Sequence, residues 1–109
     1  MVDVTKAMES SYLNVDLVRA SPTKRCVIID GGEYVDAEYQ GKAYNKFEMT
    51  VEIDHKMKKW SPNKDSVKNI SEEYGVDSDL WVGKIIKLQI GKSNGKDTVI
   101  GIPIPMLAR

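Results

Sequence analysis

The sequence has little of what enzymes and secreted domains commonly use. Among its 109 residues there is one cysteine, Cys26, and one histidine, His55. A single cysteine excludes an intrachain disulfide framework and a thiolate metal site. No stretch approaches the roughly 18 consecutive apolar residues of a membrane-spanning helix, and the first residues lack the apolar run of a signal peptide. These absences predict a cytoplasmic protein without membrane contact.

No group of side chains has the spacing of a catalytic or metal-binding constellation. His55 lies in a predicted turn and is distant in sequence from Cys26. The glycines of Gly31-Gly32 and of the segment GKSNGK (residues 91–96) do not precede a helix, as a phosphate-binding loop would require. We therefore expect no enzymatic activity and no cofactor.

Net charge is also absent, because 16 basic and 16 acidic side chains cancel. The charges are nevertheless segregated along the chain. Residues 26–54 contain seven acids and two lysines, whereas residues 56–68 contain five lysines and one acid. Residues 84–96 contain four lysines and no acid. Such runs are commonly solvated faces, but two basic runs that converge in space would form a site for a polyanion.

The 41% of hydrophobic residues suffice for one core. We expect a single domain over residues 12–105, after a loosely held N-terminus (residues 1–11) and before a short tail (residues 106–109). Strands are predicted at 25–39, with a bend at Gly31-Gly32, and at 47–53, 57–60, 84–90 and 97–104. The segment 47–53 alternates strictly between apolar and polar residues, which is typical of a strand with one buried face.

One helix is predicted over residues 63–74. Asn63 can cap its first turn, and Val67, Ile70 and Tyr74 form an apolar stripe at spacings of three and four. Gly75 is suited to end it. The resulting order predicts a mostly β protein: a five-stranded, OB-fold-like Greek-key barrel with one helix between strands 3 and 4. An SH3-like barrel, the nearest competitor, lacks that helix.

Several spaced residues resemble a family of small proteins from archaea and phages. The resemblance is carried by Trp60-x-x-Asn63, by Tyr74-Gly75, by Asp77-x-x-x-Trp81-Val82-Gly83-Lys84 and by Gly41-Lys42-x-Tyr44. Members of this family are OB-fold-like and are regarded as single-stranded DNA-binding proteins. The resemblance covers residues 17–104 and implies the same fold, the same class of ligand and an archaeal or viral source.

Single-strand binding without sequence preference needs cations for phosphates and aromatic faces for bases. OB-folds bind with strands 2 and 3 and with the loops that join strands 1 to 2 and 4 to 5. Those elements contain the aromatic candidates Tyr39, Tyr44 and Trp60, and the lysine candidates Lys42, Lys46, Lys56, Lys58, Lys59, Lys92 and Lys96.

The exposure of Trp60 depends on the preceding turn. A three-residue turn at 54–56 places Trp60 on the outer face beside Thr50 and Lys58, whereas a turn one residue longer buries it, because strand faces alternate with a period of two. Glu48 and Glu52 share the face of Thr50 and disfavour phosphate binding there. This shifts the expected binding surface towards the third strand and the two loops.

Two functions remain open on the sequence. The first is sequence-tolerant binding of single-stranded DNA or RNA by base stacking and lysine–phosphate contacts. The alternative is a non-enzymatic interaction or assembly module, with a protein partner or a second copy bound through the apolar residues 102–107.

Overall fold

The computed structural model describes the backbone of residues 12–108 and the side chains of residues 12–105. The prediction for residues 1–11 therefore lies outside the described part of the chain. The elements are α1 (Val15–Ala20), β1 (Arg25–Ile28), β2 (Glu33–Tyr39), β3 (Lys42–Ile53), β4 (Lys56–Trp60), α2 (Lys64–Tyr74), a 3₁₀ turn (Ser78–Trp81), β5 (Lys84–Ser93) and β6 (Lys96–Ala108). The strand β6 continues into the segment predicted as a tail.

The strands form an open antiparallel sheet in the order β2-β3-β1-β5-β6, with β4 paired to β3. The mostly β prediction is confirmed, but the sheet has six strands and does not close into a five-stranded barrel. The first predicted strand is split into β1 and β2, which follow one another along the same neighbour, β3. The main helix consequently lies between the fourth and fifth strands.

The split between β1 and β2 occurs at the predicted bend. Asp30 accepts hydrogen bonds at one carboxylate oxygen from the backbone N–H of Gly32 (2.9 Å) and of Thr50 (3.1 Å). Gly32 has a φ of 73°, and a Cβ there would lie 2.7 Å from the carbonyl oxygen of Glu48. Only glycine fits this conformation and this close approach.

Three two-residue turns join the sequential hairpins. Gln40-Gly41, Asp54-His55 and Asn94-Gly95 all have positive φ at both residues, the geometry that matches strand twist. The middle turn contains no glycine, and hydrogen bonds from a distant segment of the chain hold its conformation. The Asp54 carboxylate accepts hydrogen bonds from the hydroxyls of Ser21 (2.6 Å) and Thr23 (2.8 Å).

The helix α2 forms as its sequence predicts. The Asn63 side chain accepts a hydrogen bond from the N–H of Ser66 at 2.8 Å, and Gly75 ends the helix with a φ of 96°. Ile70 is fully buried, while Val67 and Tyr74 pack at the margin of the core. The indole N–H of Trp81 then donates to the Gly75 carbonyl at 2.9 Å, which fixes the 3₁₀ turn against the helix end.

The open seam between β4 and β6 is filled by side chains. A Cβ on Gly101 of β6 would lie 2.5 Å from the ring of Trp60, so the indole of β4 packs directly on the backbone of β6. From α2, the Ser66 hydroxyl accepts from the Gly101 N–H at 2.8 Å, and Asn69 donates to the Gly101 carbonyl at 3.1 Å. The helix thus satisfies edge backbone groups that a sixth strand pairing would otherwise satisfy.

The first described residues reach the other edge of β4. Tyr12 pairs in parallel with Lys59, and the N–H of Leu13 donates to the Lys59 carbonyl at 2.8 Å. Asn14 then caps the short helix α1 by accepting from the Leu17 N–H. Residues 12–20 thus form a single bridge followed by one helical segment.

Candidate nucleic-acid interface

The β2–β3 hairpin projects beyond the core and has two chemically different faces. Residues paired directly across an antiparallel ladder point to the same face. The pairs Tyr39–Lys42, Ala37–Tyr44 and Val35–Lys46 therefore share the outer face, opposite the one that carries Phe47 and Met49. We call Tyr39, Lys42, Tyr44 and Lys46 the Tyr–Lys stripe.

The Tyr–Lys stripe alternates cation and ring along one strand. Lys42, Tyr44 and Lys46 lie two residues apart, which corresponds to steps of roughly 6.6 Å along a strand. Tyr39 is directly opposite Lys42 and diagonal to Tyr44. The exposed fractions are 63% for Tyr39 and 47% for Tyr44, and Lys42 is also exposed. Both rings thus offer a face to solvent beside a cation.

Lys46 is held in place at the base of the stripe. Its ammonium lies 4.7 Å from the centre of the Tyr12 ring and 3.7 Å from Glu48 Oε2. Glu48 is buried, and that oxygen accepts no hydrogen bond from the part of the chain that the structure describes. Glu48 thus shares the outer face with Lys46 and offsets part of its charge, and the expectation that Glu48 disfavours phosphate binding there stays a prediction.

The opposite face of the hairpin carries two exposed acids. The pairs Glu38–Ala43, Asp36–Asn45 and Tyr34–Phe47 point to the inner side. Asp36 and Glu38 are exposed there, on the side away from the lysines. These two acids are therefore separated from the Tyr–Lys stripe by the thickness of one hairpin, whereas the pair Glu33–Glu48 shares the outer face, next to Lys46.

The structure corrects the placement of Trp60 and Lys58. The turn contains two residues, so Met49 pairs with Trp60 and Val51 pairs with Lys58, both on the inner side. Trp60 is 3% exposed and Lys58 is 8% exposed. Trp60 is thus a core residue that cannot stack on a base in this structure, and Lys58 is not a surface cation. The two-residue turn has the parity of the longer alternative considered above.

The remaining lysine candidates are dispersed. Lys56 lies at the opposite end of the 12-residue β3 from Lys42, roughly 35–40 Å along the strand. Lys92 contacts Asp97 at 2.6 Å, and that carboxylate also pairs with Arg19 of α1. Lys96 is exposed at the β5–β6 turn, and Lys59 is half-buried on the outer face beside Thr50. The Tyr–Lys stripe is the cluster that combines predicted rings with predicted cations.

Sequence reasoning missed Tyr12. It contributes a ring to the stripe through its contact with Lys46, although 34 positions separate the two residues. The sequence contains no local signal for this contact. It depends on the parallel bridge that seats the first described residues beside β4.

The described residues provide no group of three or more histidine, cysteine or acidic side chains arranged to hold a metal ion. Cys26 is buried, and its burial raises the pKa of the thiol to about 12, so the group is protonated near neutral pH. Within residues 12–108, no helix has the length and apolar character needed to cross a membrane.

Comparisons with protein-family models, with curated proteins and with solved structures found no match to this chain. The resemblance to the archaeal and phage family therefore stays a prediction.

Proposed function

We propose that this protein binds single-stranded nucleic acid along the Tyr–Lys stripe, with single-stranded DNA as the first ligand to test. The observation that carries the proposal is the one-sided distribution of Tyr39, Lys42, Tyr44 and Lys46, with Asp36 and Glu38 on the other face of the hairpin. Rings supply stacking surfaces and lysines supply phosphate contacts, the two components of sequence-tolerant binding.

The spacing of the stripe suits an extended strand. Alternate residues on one face are roughly 6.6 Å apart, about twice the ~3.4 Å of helix axis that each phosphate of one duplex strand occupies. A single strand can extend to match that repeat when its bases leave their own stack and contact Tyr39 and Tyr44. A duplex cannot, so we expect weaker binding to double-stranded DNA of the same length.

The finer fold assignment also belongs to this proposal. We take β1 and β2 together as the first strand of an OB-like arrangement, followed by β3, β4, α2, β5 and β6. The Tyr–Lys stripe then lies at the loop between OB strands 1 and 2, a usual contact region of that fold. Trp60 packed on Gly101 takes the place of the pairing that would close a barrel.

The test is fluorescence anisotropy of a labelled oligothymidylate, with a mixed-sequence oligonucleotide and a duplex as comparisons. Wild type should bind both single strands similarly, and its affinity should fall steeply between about 50 and 200 mM salt. Tyr39→Ala and Tyr44→Ala should each weaken binding by roughly 1–3 kcal/mol with little change in the salt slope. Lys42→Ala should lower that slope by roughly 0.7.

Two matched controls use the same residue types elsewhere. Tyr34→Ala removes a more exposed ring from the inner face of the same hairpin, and Lys96→Ala removes an exposed cation from the β5–β6 turn. Both should bind the oligonucleotide like wild type. Absence of binding at low salt, or an equal loss for Tyr34→Ala and Tyr44→Ala, would refute the proposal.

The alternative contact through residues 102–107 has less support. Ile102 and Pro103 pair with Lys87 and Ile86 of β5 and are therefore part of the sheet. Gly101 turns its N–H and carbonyl to the edge of β6 that faces away from β5, so Pro103, two residues later, also faces that edge without an N–H to offer. A partner strand paired along this edge would therefore lack one backbone hydrogen-bond donor at Pro103.

A further inference from the structure

A cavity of about 250 Å³ opens on the inner side of the hairpin, away from the Tyr–Lys stripe. Three aromatic side chains form its wall: Tyr34 from β2, Phe47 from β3 and Trp81 from the 3₁₀ turn. The ring centres are 5.6 Å apart for Tyr34 and Phe47, and 6.2 Å apart for Phe47 and Trp81, which meet edge to face. Rings in such contact hold one another in place.

The polar groups around this cavity are already occupied. The Trp81 indole N–H donates to the Gly75 carbonyl, and the Ser78 hydroxyl donates to the Gly31 carbonyl at 2.5 Å. The Ser71 hydroxyl donates to the Lys68 carbonyl at 3.1 Å. The cavity therefore presents mainly apolar surface to whatever enters it.

The rim of the cavity exposes apolar side chains to water. Tyr34 is 73% exposed and Val76 is 93% exposed, while both contribute to the lining. The volume is below the roughly 300–1,000 Å³ typical of small-molecule sites. A cavity of this size accommodates one large apolar side chain, which is how anchor residues of protein partners are bound.

The charges near the rim specify the partner further. Asp36 and Glu38 share the inner hairpin face with Tyr34, and Asp77 and Asp79 flank Ser78 in the loop. Among the described residues, none of these four acids lies in a salt bridge. These four acids thus lie on the hairpin and on the loop that holds Ser78.

We infer that this cavity binds a basic protein segment that inserts one large apolar side chain between Tyr34 and Trp81. The lysines or arginines of the segment would contact Asp36, Glu38 and Asp79, while its anchor fills the aromatic cavity. The same acids repel phosphates, which separates this site from the Tyr–Lys stripe. The inference does not depend on nucleic-acid binding.

The probe is a short polylysine peptide with one central leucine, titrated into ¹⁵N-labelled full-length protein. The amide signals of Tyr34, Ser71, Val76 and Ser78 should shift, with little change at Tyr44. A peptide with serine in place of the leucine should bind roughly tenfold more weakly or worse, because the anchor is lost. A peptide with glutamates in place of the lysines should not bind.

Protein variants separate the anchor from the charges. Val76→Ser changes an exposed residue and should weaken binding of the leucine peptide severalfold while the protein stays folded. The double variant Asp36→Asn with Glu38→Gln should weaken binding and flatten its salt dependence. Its matched control, Asp16→Asn with Asp65→Asn, removes two acids near the starts of the two helices and should bind the peptide like wild type.

Three results would overturn the inference: equal binding of the leucine and serine peptides, no shift at the cavity with any peptide, or cavity shifts caused by an oligonucleotide. Oligonucleotide anisotropy on the same variants keeps the two proposals distinct. Val76→Ser should leave it unchanged, whereas Tyr44→Ala should change it and leave peptide binding intact.

Discussion

The two halves of the strand β3 have the same backbone conformation, but they differ in their neighbouring strands and in the exposure of their side chains. Its second half, Met49 to Ile53, lies between β1 and β4, with Met49, Val51 and Ile53 buried on one face. Its first half, from Lys42, pairs with β2 alone, and residues 42–45 are exposed on both faces. Phe47 lies at the boundary.

The difference shows where stability and recognition are separated in this molecule. In the body, each inward side chain contributes apolar burial, and substitution there changes the free energy of unfolding. In the hairpin, the ladder supplies backbone hydrogen bonds while the side chains remain in water. The hairpin side chains are therefore free to serve a ligand without a large effect on the fold.

The largest effect is expected where the body closes on itself. Trp60→Ala should lower the free energy of unfolding by about 3–5 kcal/mol, because a buried ring leaves a cavity against Gly101. Urea unfolding followed by circular dichroism measures it. A loss of about 0.5 kcal/mol or less, the scale of a surface residue, would show that Trp60 is not part of the core.

Gly101, which contacts the Trp60 ring, should be sensitive to added volume, whereas Trp60 is sensitive to its removal. Gly101→Ala places a methyl group 2.5 Å from the Trp60 ring and should cost about 1–3 kcal/mol through overpacking. Gly91→Ala is the matched control, because its new methyl meets the mobile tip of Ile100 and should cost less. If Trp60→Phe does not reduce the cost of Gly101→Ala, the two sites are not coupled as described.

The turn between β3 and β4 should show a pH-dependent contribution. The Ser21 hydroxyl, followed by that of Thr23, holds the pKa of Asp54 below its usual range. A lowered pKa stabilises the fold above the usual Asp pKa of about 3.9, and this contribution disappears as the pH falls through the lower native value.

Ser21→Ala should therefore cost about 1 kcal/mol at neutral pH and less in acid, where wild type has already lost part of the contribution. Urea unfolding at neutral pH and at about pH 3, below the unperturbed Asp pKa, measures it. Ser93→Ala, beside the glycine-containing Asn94-Gly95 turn, is the control and should show no such pH dependence. An equal cost of Ser21→Ala at both pH values would contradict this account.

The smallest effect is expected in the hairpin. Tyr39→Ala and Tyr44→Ala should each change the free energy of unfolding by about 0.5 kcal/mol or less, as for surface substitutions in general. The same urea titrations measure it. A loss comparable with that of Trp60→Ala would mean that the hairpin packs on a part of the protein, and the contrast between the two halves of β3 would fail.

The sequence by itself determined the features that local chemistry controls. The helix α2 is defined by its cap Asn63, by the apolar stripe of Val67, Ile70 and Tyr74, and by Gly75 at its end. Caps and helical spacing act within a few residues, so the sequence alone reveals them. The alternation of residues 47–53 predicted the buried face of β3 for the same reason. The predicted site residues also include the whole Tyr–Lys stripe, although the sequence does not show that its members share one face.

The tertiary structure alone decided which faces meet. A turn of two residues rather than three reverses β4 and moves Trp60 and Lys58 from the surface to the interior, since strand faces alternate with each residue. The split of the first strand and the open seam filled by Trp60 depend on contacts between distant segments, as does the Tyr12–Lys46 contact. Such pairings are set by packing across the whole chain, which no local pattern encodes.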